Sequence, residues 1–348
     1  MLGFSLMSSP TDSFAVVTGG AGFVGSHLCD ALIVRGERVV CLDNLFTGSK
    51  KNIEHLLPHR DFQFIQCDIN HLPSPSDHPS LHRWKLHMIY HLACPASPVH
   101  YQIHPVQTVR TNVVGTINML DFALAREVPL LLASTSEVYG DPEVHPQPET
   151  YVGHVDPLGP RACYDEGKRC AETLCREFSR QYGLPTKIAR IFNTYGPRMA
   201  LDDGRVVSNF ITQALLNVPI TVYGNGSHTR SFQYVDDLIQ GLLSLARKEN
   251  FEGPVNIGTP YEMTIKQLAE LIVKLTKSKS EIVFKPEPEV VSGLSGPMGK
   301  VTYKPLPKYD PKQRRPDISL AKKELGWEPK VSVEEGLNKT IEYFRSGL

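Results

Sequence analysis

The sequence has no excess of either charge, no paired cysteine motif and no long apolar run. Lysine plus arginine and aspartate plus glutamate both number 37, so the zero net charge gives no general attraction for nucleic acid or an anionic membrane. The seven cysteines are odd in number and include no CxxC pair, which argues against a disulfide framework and fits a reducing compartment. No stretch approaches the ~18 apolar residues of a membrane span, and residues 1–13 lack the basic flank and apolar core of a targeting segment. We therefore predict a cytoplasmic protein with a short disordered tail at residues 1–13, no membrane contact and no nucleic-acid partner.

Over its first half the sequence alternates strand-like and helix-like segments. Short apolar runs, typical of buried strands, lie at residues 14–18, 38–42, 62–65, 87–92, 130–134 and 186–191. Helical patterns separate them, the longest at about residues 105–126 and 164–182. Strands that alternate with helices predict an α/β fold with a doubly wound parallel Rossmann sheet. The pattern is less regular after Gly196, which indicates a smaller C-terminal α/β lobe.

A glycine-rich segment, TGGAGFVG at residues 18–25, stands where the first predicted strand meets the first helix. Glycines there let the backbone turn sharply and approach a pyrophosphate, and the helix N-terminus supplies amide donors. Asp43, at the end of the second strand, is placed to bind both ribose hydroxyls of NAD and to repel the 2′-phosphate of NADP. Asp68 closes the third strand and is placed to reach the adenine amine. The alternative for Asp43 is a turn cap formed together with Asn44.

A phenol and an ammonium group lie four residues apart at Tyr164 and Lys168, on one face of a predicted helix. The ammonium, together with a positive nicotinamide ring, is expected to lower the pKa of the tyrosine. The phenolate can then take a proton from a sugar hydroxyl while hydride leaves the same carbon. Such a pair alone is more often a solvated helix face. Ser134, Thr135 and then Glu137 stand at the end of the fifth predicted strand, where ligands bind in this architecture, and they favour the catalytic interpretation over a strand-end turn.

Three motifs together resemble the extended short-chain dehydrogenase/reductase family: residues 19–25, the STSEVYG segment at 134–140, and Tyr164 with Lys168. This family includes UDP-galactose epimerases, nucleotide-sugar 4,6-dehydratases and UDP-glucuronate decarboxylases. The sequence is most similar to the decarboxylases, over about residues 14–345, through the blocks at 91–98, 132–145, 159–168, 190–199, 203–210, 229–234 and 314–318. Dehydratases carry an aspartic acid where this chain has Ser136, so the acid that expels water is missing.

The resemblance implies NAD-dependent decarboxylation of UDP-glucuronate to UDP-xylose and CO2. Oxidation at C4 makes a β-keto acid, CO2 departs, and hydride returns to C4, so NAD is recycled and no metal is required. By resemblance, Arg314 holds the sugar carboxylate and Glu137 handles a proton near C5, with an ordinary surface ion pair as the alternative for both. The catalytic residues implied are Tyr164, Lys168, Thr135, Glu137 and Arg314. A 4,6-dehydratase or 4-epimerase of the same family, and a non-enzymatic NAD-binding regulator, are the competing hypotheses.

The resemblance also implies the binding residues. The expected cofactor-binding residues are Gly19, Gly22, Phe23, Val24, Gly25, Asp43, Asn44, Phe46, Thr47, Gly48, Asp68, Ile69, Leu92, Thr111, Tyr164, Lys168, Thr194 and Arg205. The expected substrate-binding residues are Pro95, Arg110, Glu137, Tyr164, Asn193, Arg205, Tyr223, Arg230 and Arg314. Arginines suit the diphosphate of a UDP-sugar because the planar guanidinium donates two parallel hydrogen bonds.

By the same resemblance, residues 14–195 form the NAD-binding Rossmann domain, with return segments from about 233–260, and residues 196–348 mainly bind the UDP-sugar. A homodimer is expected, paired through the helices at about 105–126 and 164–182. The segments at 72–85 and 286–313 are longer than the family leads us to expect. We interpret both as surface loops, with a lid as the alternative for the second because it precedes Arg314.

Overall fold

The structure, a computed structural model, describes residues 13–72, 81, 85–286 and 313–348. The tail expected at residues 1–13 lies outside these residues apart from Ser13, and so do most of the two extensions at 72–85 and 286–313.

A seven-stranded parallel sheet forms the centre of the molecule, in the order β3-β2-β1-β4-β5-β6-β11. Its strands are β1 Ser13–Thr18, β2 Arg38–Asp43, β3 Phe62–Gln66, β4 Lys85–His91, β5 Leu130–Thr135, β6 Thr186–Ile191 and β11 Val255–Ile257. Most of their side chains are buried, because helices cover both faces of a parallel sheet. The predicted doubly wound Rossmann sheet is confirmed.

Ten α-helices lie within the described residues. They are α1 Phe23–Val34, α2 Pro98–Ile103, α3 Pro105–Arg110, α4 Thr116–Ala125, α5 Ala162–Tyr182, α6 Val206–Leu215, α7 Val235–Arg247, α8 Ile265–Thr276, α9 Ser319–Leu325 and α10 Val333–Gly347. The helix predicted over about 105–126 is confirmed in extent, since α3, a π-helical turn at Thr111–Gly115 and α4 follow one another without a break in the helical backbone. A Cβ on Gly115 would lie 2.6 Å from Cδ1 of Ile69, so this turn packs closely against the loop that follows β3.

Further short strands lie in the second half of the chain, within the described residues. They are β7 Thr194–Tyr195, β8 Ile220–Tyr223, β9 Thr229–Arg230, β10 Gln233–Tyr234, β12 Met263–Thr264, β13 Ile282–Lys285 and β14 Gln313–Arg314. They form three small sheets, β10-β7, β12-β9-β14 and β13-β8. Strand β11, by contrast, returns to the central sheet and pairs with β6.

Candidate functional site

A cavity of about 590 Å³ opens at the carboxyl ends of β1, β2, β3 and β4, the edge at which doubly wound sheets bind ligands. Most of the residues predicted to bind the cofactor line it, namely Gly19, Gly22, Phe23, Val24, Gly25, Asp43, Asn44, Phe46, Thr47, Asp68, Ile69, Leu92, Thr111 and Arg205. Pro95, predicted to bind substrate, lines it too. Further lining residues that sequence reasoning did not single out are Cys94, Ser97, His100, Arg198 and Asp203.

The glycine turn brings three backbone segments into close contact. Gly19 has a φ of +69°, and a Cβ there would lie 2.9 Å from the backbone nitrogen of Ala93. A Cβ on Gly25 would collide with the carbonyl oxygen of Gly19. Gly22 caps the start of α1 without any side-chain hydrogen bond, so no side chain competes for the first amide groups of the helix. An uncrowded helix N-terminus of this kind suits a bound phosphate.

Asp43 and the backbone around it form the next wall of the cavity. Its carboxylate accepts hydrogen bonds from Ala21 N at 3.0 Å and from Leu45 N at 2.8 Å, so the turn-capping interaction is present. The carboxylate also lines the cavity, and burial raises its pKa. Gly48 does not line the cavity; it lies behind Asp43, where a Cβ would be 2.8 Å from the carboxylate oxygens. Turn capping and exposure to a ligand therefore coexist at Asp43.

Tyr164, Lys168 and Thr135 come together on α5 and the end of β5, beyond the residues that line the cavity. The phenol ring of Tyr164 is buried and stacks on Tyr101, with ring centroids 5.1 Å apart. The Lys168 ammonium donates to the carbonyl oxygen of Ala133 at 2.9 Å. Burial raises the pKa of Tyr164 well above its ordinary value, and the hydrogen bond with Thr135 opposes this. The lowering expected from Lys168 together with a nicotinamide ring stays a prediction; among the protein groups, desolvation of the phenolate outweighs the nearby polar groups.

Glu137 lies at the centre of a buried cluster of charges. Arg314 donates to it through both terminal nitrogens, with Nη2 and Oε2 2.9 Å apart, and Arg161 donates to the same Oε2. Asp165 stands on the other side of Arg161, with Oδ2 3.7 Å from Nε. Burial disfavours ionisation of Glu137, but the charges of Arg161 and Arg314 outweigh it and lower its pKa to about 2. An ion pair, the alternative named for Glu137 and Arg314, is present, but it is buried and not on the surface.

A second buried network holds the segment that carries Arg314. The side chain of Gln147 accepts from Arg315 N at 2.9 Å, and its backbone exchanges hydrogen bonds with Arg315 and Asp317. The amide nitrogen of Asn256 donates to the carbonyl oxygens of Gln147 and Asp317 at 2.9 and 3.0 Å. The hydroxyl group of Tyr139, in the turn that follows β5, donates to Oδ1 of Asn256 at 2.8 Å. Sequence reasoning missed this network, and Arg161 with it, because the partners are far apart along the chain.

The remaining residues predicted to bind ligands lie on several different elements. Arg230 and Arg314 are register partners on the parallel strands β9 and β14, and both are buried. Asn193 directly precedes β7, Thr194 begins it, and Tyr223 is half-buried at the end of β8. Arg110 is exposed at the end of α3 and does not line the cavity.

Comparisons with known proteins identify the family. Residues 16–340 match the family described as GDP-mannose 4,6 dehydratase. UDP-glucuronic acid decarboxylase 1 of Danio rerio is 53% identical over 333 residues, which are 96% of this chain and 73% of that protein. The chain belongs to this extended short-chain dehydrogenase/reductase family.

Solved structures of the family share the whole fold. The UDP-glucose 4-epimerase of Thermotoga maritima, solved with UDP-glucose, has a TM-score of 0.80 and 32% identity, over 96% of this chain and 99% of that one. The UDP-glucuronic acid 4-epimerase of Bacillus cereus, solved with UDP-glucuronic acid and NAD, has a TM-score of 0.80 and 28% identity, over 96% and 99%.

Two absences concern the described residues only. Among their helices, none combines the length and the apolar character that crossing a bilayer requires. Nowhere in the same ranges do three or more histidine, cysteine, aspartate or glutamate side chains cluster as metal ligands would.

Proposed function

We propose that this protein is an NAD-dependent UDP-glucuronate decarboxylase that converts UDP-glucuronate to UDP-xylose and CO2. The observation that carries the proposal is the buried pair of Glu137 and Arg314 beside Tyr164 and Thr135. A guanidinium held in a dry site is suited to bind a sugar carboxylate. Relatives that are named UDP-glucuronic acid decarboxylase, at 53% identity in Danio rerio, support the same substrate.

The residues around the cavity fit NAD. The glycine turn packs so closely that a Cβ on Gly19 or Gly25 would meet backbone atoms, and the start of α1 lines the cavity, where its first amides suit a pyrophosphate. Asp43 faces the cavity where the adenosine ribose is expected, and Asp68 follows β3 on the same edge. When bound, NAD supplies the hydride acceptor for C4 of the sugar.

In the proposed reaction Tyr164 takes the proton from the 4-hydroxyl group of the sugar. Thr135 hydrogen bonds to the phenol and shares that proton. Because burial raises the pKa of Tyr164, the phenolate needs added positive charge, which a nicotinamide ring and the Lys168 ammonium together would supply. Lys168 also fixes α5 to β5 through Ala133, which holds the phenol in position.

Arg314 is proposed to hold the carboxylate at C5 while the C4 ketone withdraws the electrons released with CO2. Its Nε is buried and has no hydrogen-bond partner, so one donor is available to a further acceptor. Glu137, with a pKa lowered to about 2, holds no proton near neutral pH and serves first to orient Arg314. The proton transfer at C5 that the family suggests for Glu137 therefore requires that it first separates from its arginines.

A 4-epimerase is the second candidate, favoured by the similarity to the UDP-glucuronic acid 4-epimerase of Bacillus cereus. Both reactions begin with oxidation at C4, and they differ in whether the carboxylate is kept. Incubation of the protein with UDP-glucuronate, with and without added NAD, followed by mass spectrometry of the nucleotide sugars, separates them. A decarboxylase yields a pentose nucleotide and CO2, whereas an epimerase leaves the mass unchanged.

Tyr164→Phe is the matched control in this experiment. It is expected to keep NAD and UDP-glucuronate binding and to lower turnover by about 10²-fold or more, because general acid–base catalysis is lost. A chain that binds NAD but leaves UDP-glucuronate unaltered under all conditions contradicts the proposed activity and favours a non-enzymatic regulator.

A homodimer and a cytoplasmic location are also part of the proposal. The helices expected to pair expose apolar side chains, with Val106 72% exposed and Val109 and Val114 each 41% exposed. All seven cysteines are free, which fits a reducing compartment. Light scattering during gel filtration tests the dimer.

A further inference from the structure

The charge cluster around Glu137 is balanced before any ligand enters. Two guanidinium groups, Arg161 and Arg314, face two carboxylates, Glu137 and Asp165. Arg161, Asp165 and Arg314 are 7%, 6% and 3% exposed, so water screens these charges poorly. An additional anion in this cluster must therefore be compensated locally.

Two atoms of the cluster have no hydrogen-bond partner although they are buried. One is the donor Nε of Arg314 and the other is the acceptor Oδ1 of Asp165. A buried carboxylate oxygen without a donor is costly when the group is ionised, and protonation reduces that cost. The cluster thus has one spare donor for an incoming anion and one spare position for a proton.

The charged and titratable groups near Asp165 come from three elements. Arg161 and Glu166 flank it along the chain. The negative charge of Asp165 also helps to raise the pKa of Cys163. Glu137 faces it from the turn after β5, and Arg314 from β14. Burial, and after it the negative charge of Glu137, raise the pKa of Asp165 to about 7, against the opposing charges of the two arginines.

Resting on the function proposed above, we propose that Asp165 compensates the charge of the substrate by taking up a proton when the sugar carboxylate of UDP-glucuronate binds at Arg314. The arriving carboxylate would leave the cluster with one more negative than positive charge. The group in it that most readily accepts a proton near neutral pH is Asp165, whereas Glu137 is held ionised by both arginines.

The overall reaction makes this proton useful. Loss of the carboxylate follows R–COO⁻ + H⁺ → R–H + CO2, so each turnover consumes one proton at C5. The bond between C5 and the carboxylate carbon breaks, its electron pair passes to the 4-keto group, and C5 is then protonated. When CO2 leaves, the cluster loses the added negative charge. The pKa of Asp165 then falls again, and its proton is released.

The test is binding of UDP-glucuronate and UDP-glucose to the NAD-loaded Tyr164→Phe protein, in which turnover is suppressed, by calorimetry from pH 6 to 9. UDP-glucose shares the UDP but has no carboxylate. We expect the Kd of UDP-glucuronate to rise as pH increases above about 7, by up to roughly tenfold per pH unit, because Asp165 must be protonated in the complex. Buffers of different ionisation enthalpy should report uptake of up to one proton for UDP-glucuronate and none for UDP-glucose.

Adding Asp165→Asn, which mimics the protonated carboxyl, should make the Kd of UDP-glucuronate independent of pH and abolish the proton uptake. Glu177→Gln, which alters an exposed carboxylate farther along the same helix, should behave like the parent. Unchanged pH dependence in Asp165→Asn, or no proton uptake by the parent, overturns the inference while leaving the decarboxylase assignment intact. Binding of UDP-glucose without any binding of UDP-glucuronate overturns both. Normal UDP-glucose binding shows that each variant is folded.

Discussion

At the scale of single residues, a polar side chain at a strand end can accept hydrogen bonds from the nearby backbone and also line the cavity. Asp43 shows this, since the two competing hypotheses for it, a ribose ligand and a turn cap, are compatible in the structure. Capping fixes the direction of the carboxylate. The same negative charge is expected to repel the 2′-phosphate of NADP.

Replacing Asp43 with asparagine tests that charge. Asp43→Asn retains one oxygen to accept from Leu45 N and removes the negative charge. We expect the preference for NAD over NADP to fall at least about tenfold, measured as the ratio of the two dissociation constants by calorimetry. Glu54→Gln, which alters a carboxylate outside the cavity lining, is the control. An unchanged ratio in Asp43→Asn means that another group discriminates between the two cofactors.

Residues that act through the folded chain could not be predicted from the sequence. Tyr164, Lys168 and the glycine turn are recognisable because their spacing is local and belongs to one element. Arg161 and Asp165 gain their significance only when segments around residues 137, 161 and 314 meet in space. Periodicity contains no signal for that meeting.

At the scale of elements, the two-residue strand β14 depends on its neighbours for its position. It pairs with β9, another two-residue strand, and the chain directly after it is held by Gln147 and Asn256. Strands this short have no pattern that sequence analysis can detect, so only Arg314 itself, and not its support, was anticipated. The π-helical turn inside the helix predicted over about 105–126 was likewise not anticipated, and it packs closely on Ile69.

Loss of the Gln147 side chain should therefore misplace Arg314. Gln147→Leu removes the acceptor of Arg315 N, and the unpaired buried donor should cost about 1–3 kcal/mol in the free energy of unfolding. We expect C4 oxidation to continue while decarboxylation slows, so that NADH accumulates in a single turnover and is seen by its absorbance. Gln181→Leu, at an exposed position on α5, should neither lower the free energy of unfolding nor cause NADH to accumulate. Turnover of Gln147→Leu at the normal rate, with no accumulation of NADH, would show that Arg314 is positioned by other contacts.

At the scale of the whole molecule, the central sheet was predictable and the second half was not. Long buried apolar strands alternating with helices allow few topologies, since crossover connections between parallel strands are right-handed and short. The three small sheets contain strands of two to four residues, all but β7 from residues after 196, and strands this short carry no detectable pattern. A charged cluster built between the two halves therefore depends on the complete fold.

His91 links the stability of the central sheet to pH. It is buried at the end of β4, between the hydroxyl groups of Thr18 and Thr116 at 2.9 and 3.1 Å. Burial, and after it the charge of Lys168, lower its pKa to about 3. Between pH 6.5 and 3 the unfolded chain therefore binds a proton that the folded protein does not.

The free energy of unfolding should consequently fall by about 1.4 kcal/mol for each pH unit below 6.5 through this residue alone, and above that pH His91 should contribute no slope. His91→Gln, which keeps a polar side chain for the threonines, is expected to be less stable at pH 8 and to lose this component of the slope. Urea unfolding of both proteins between pH 4.5 and 8 isolates it, because every other group titrates equally in the two. Parallel curves would mean that His91 has the same pKa in the folded and the unfolded protein, so that burial does not keep it neutral below pH 6.5.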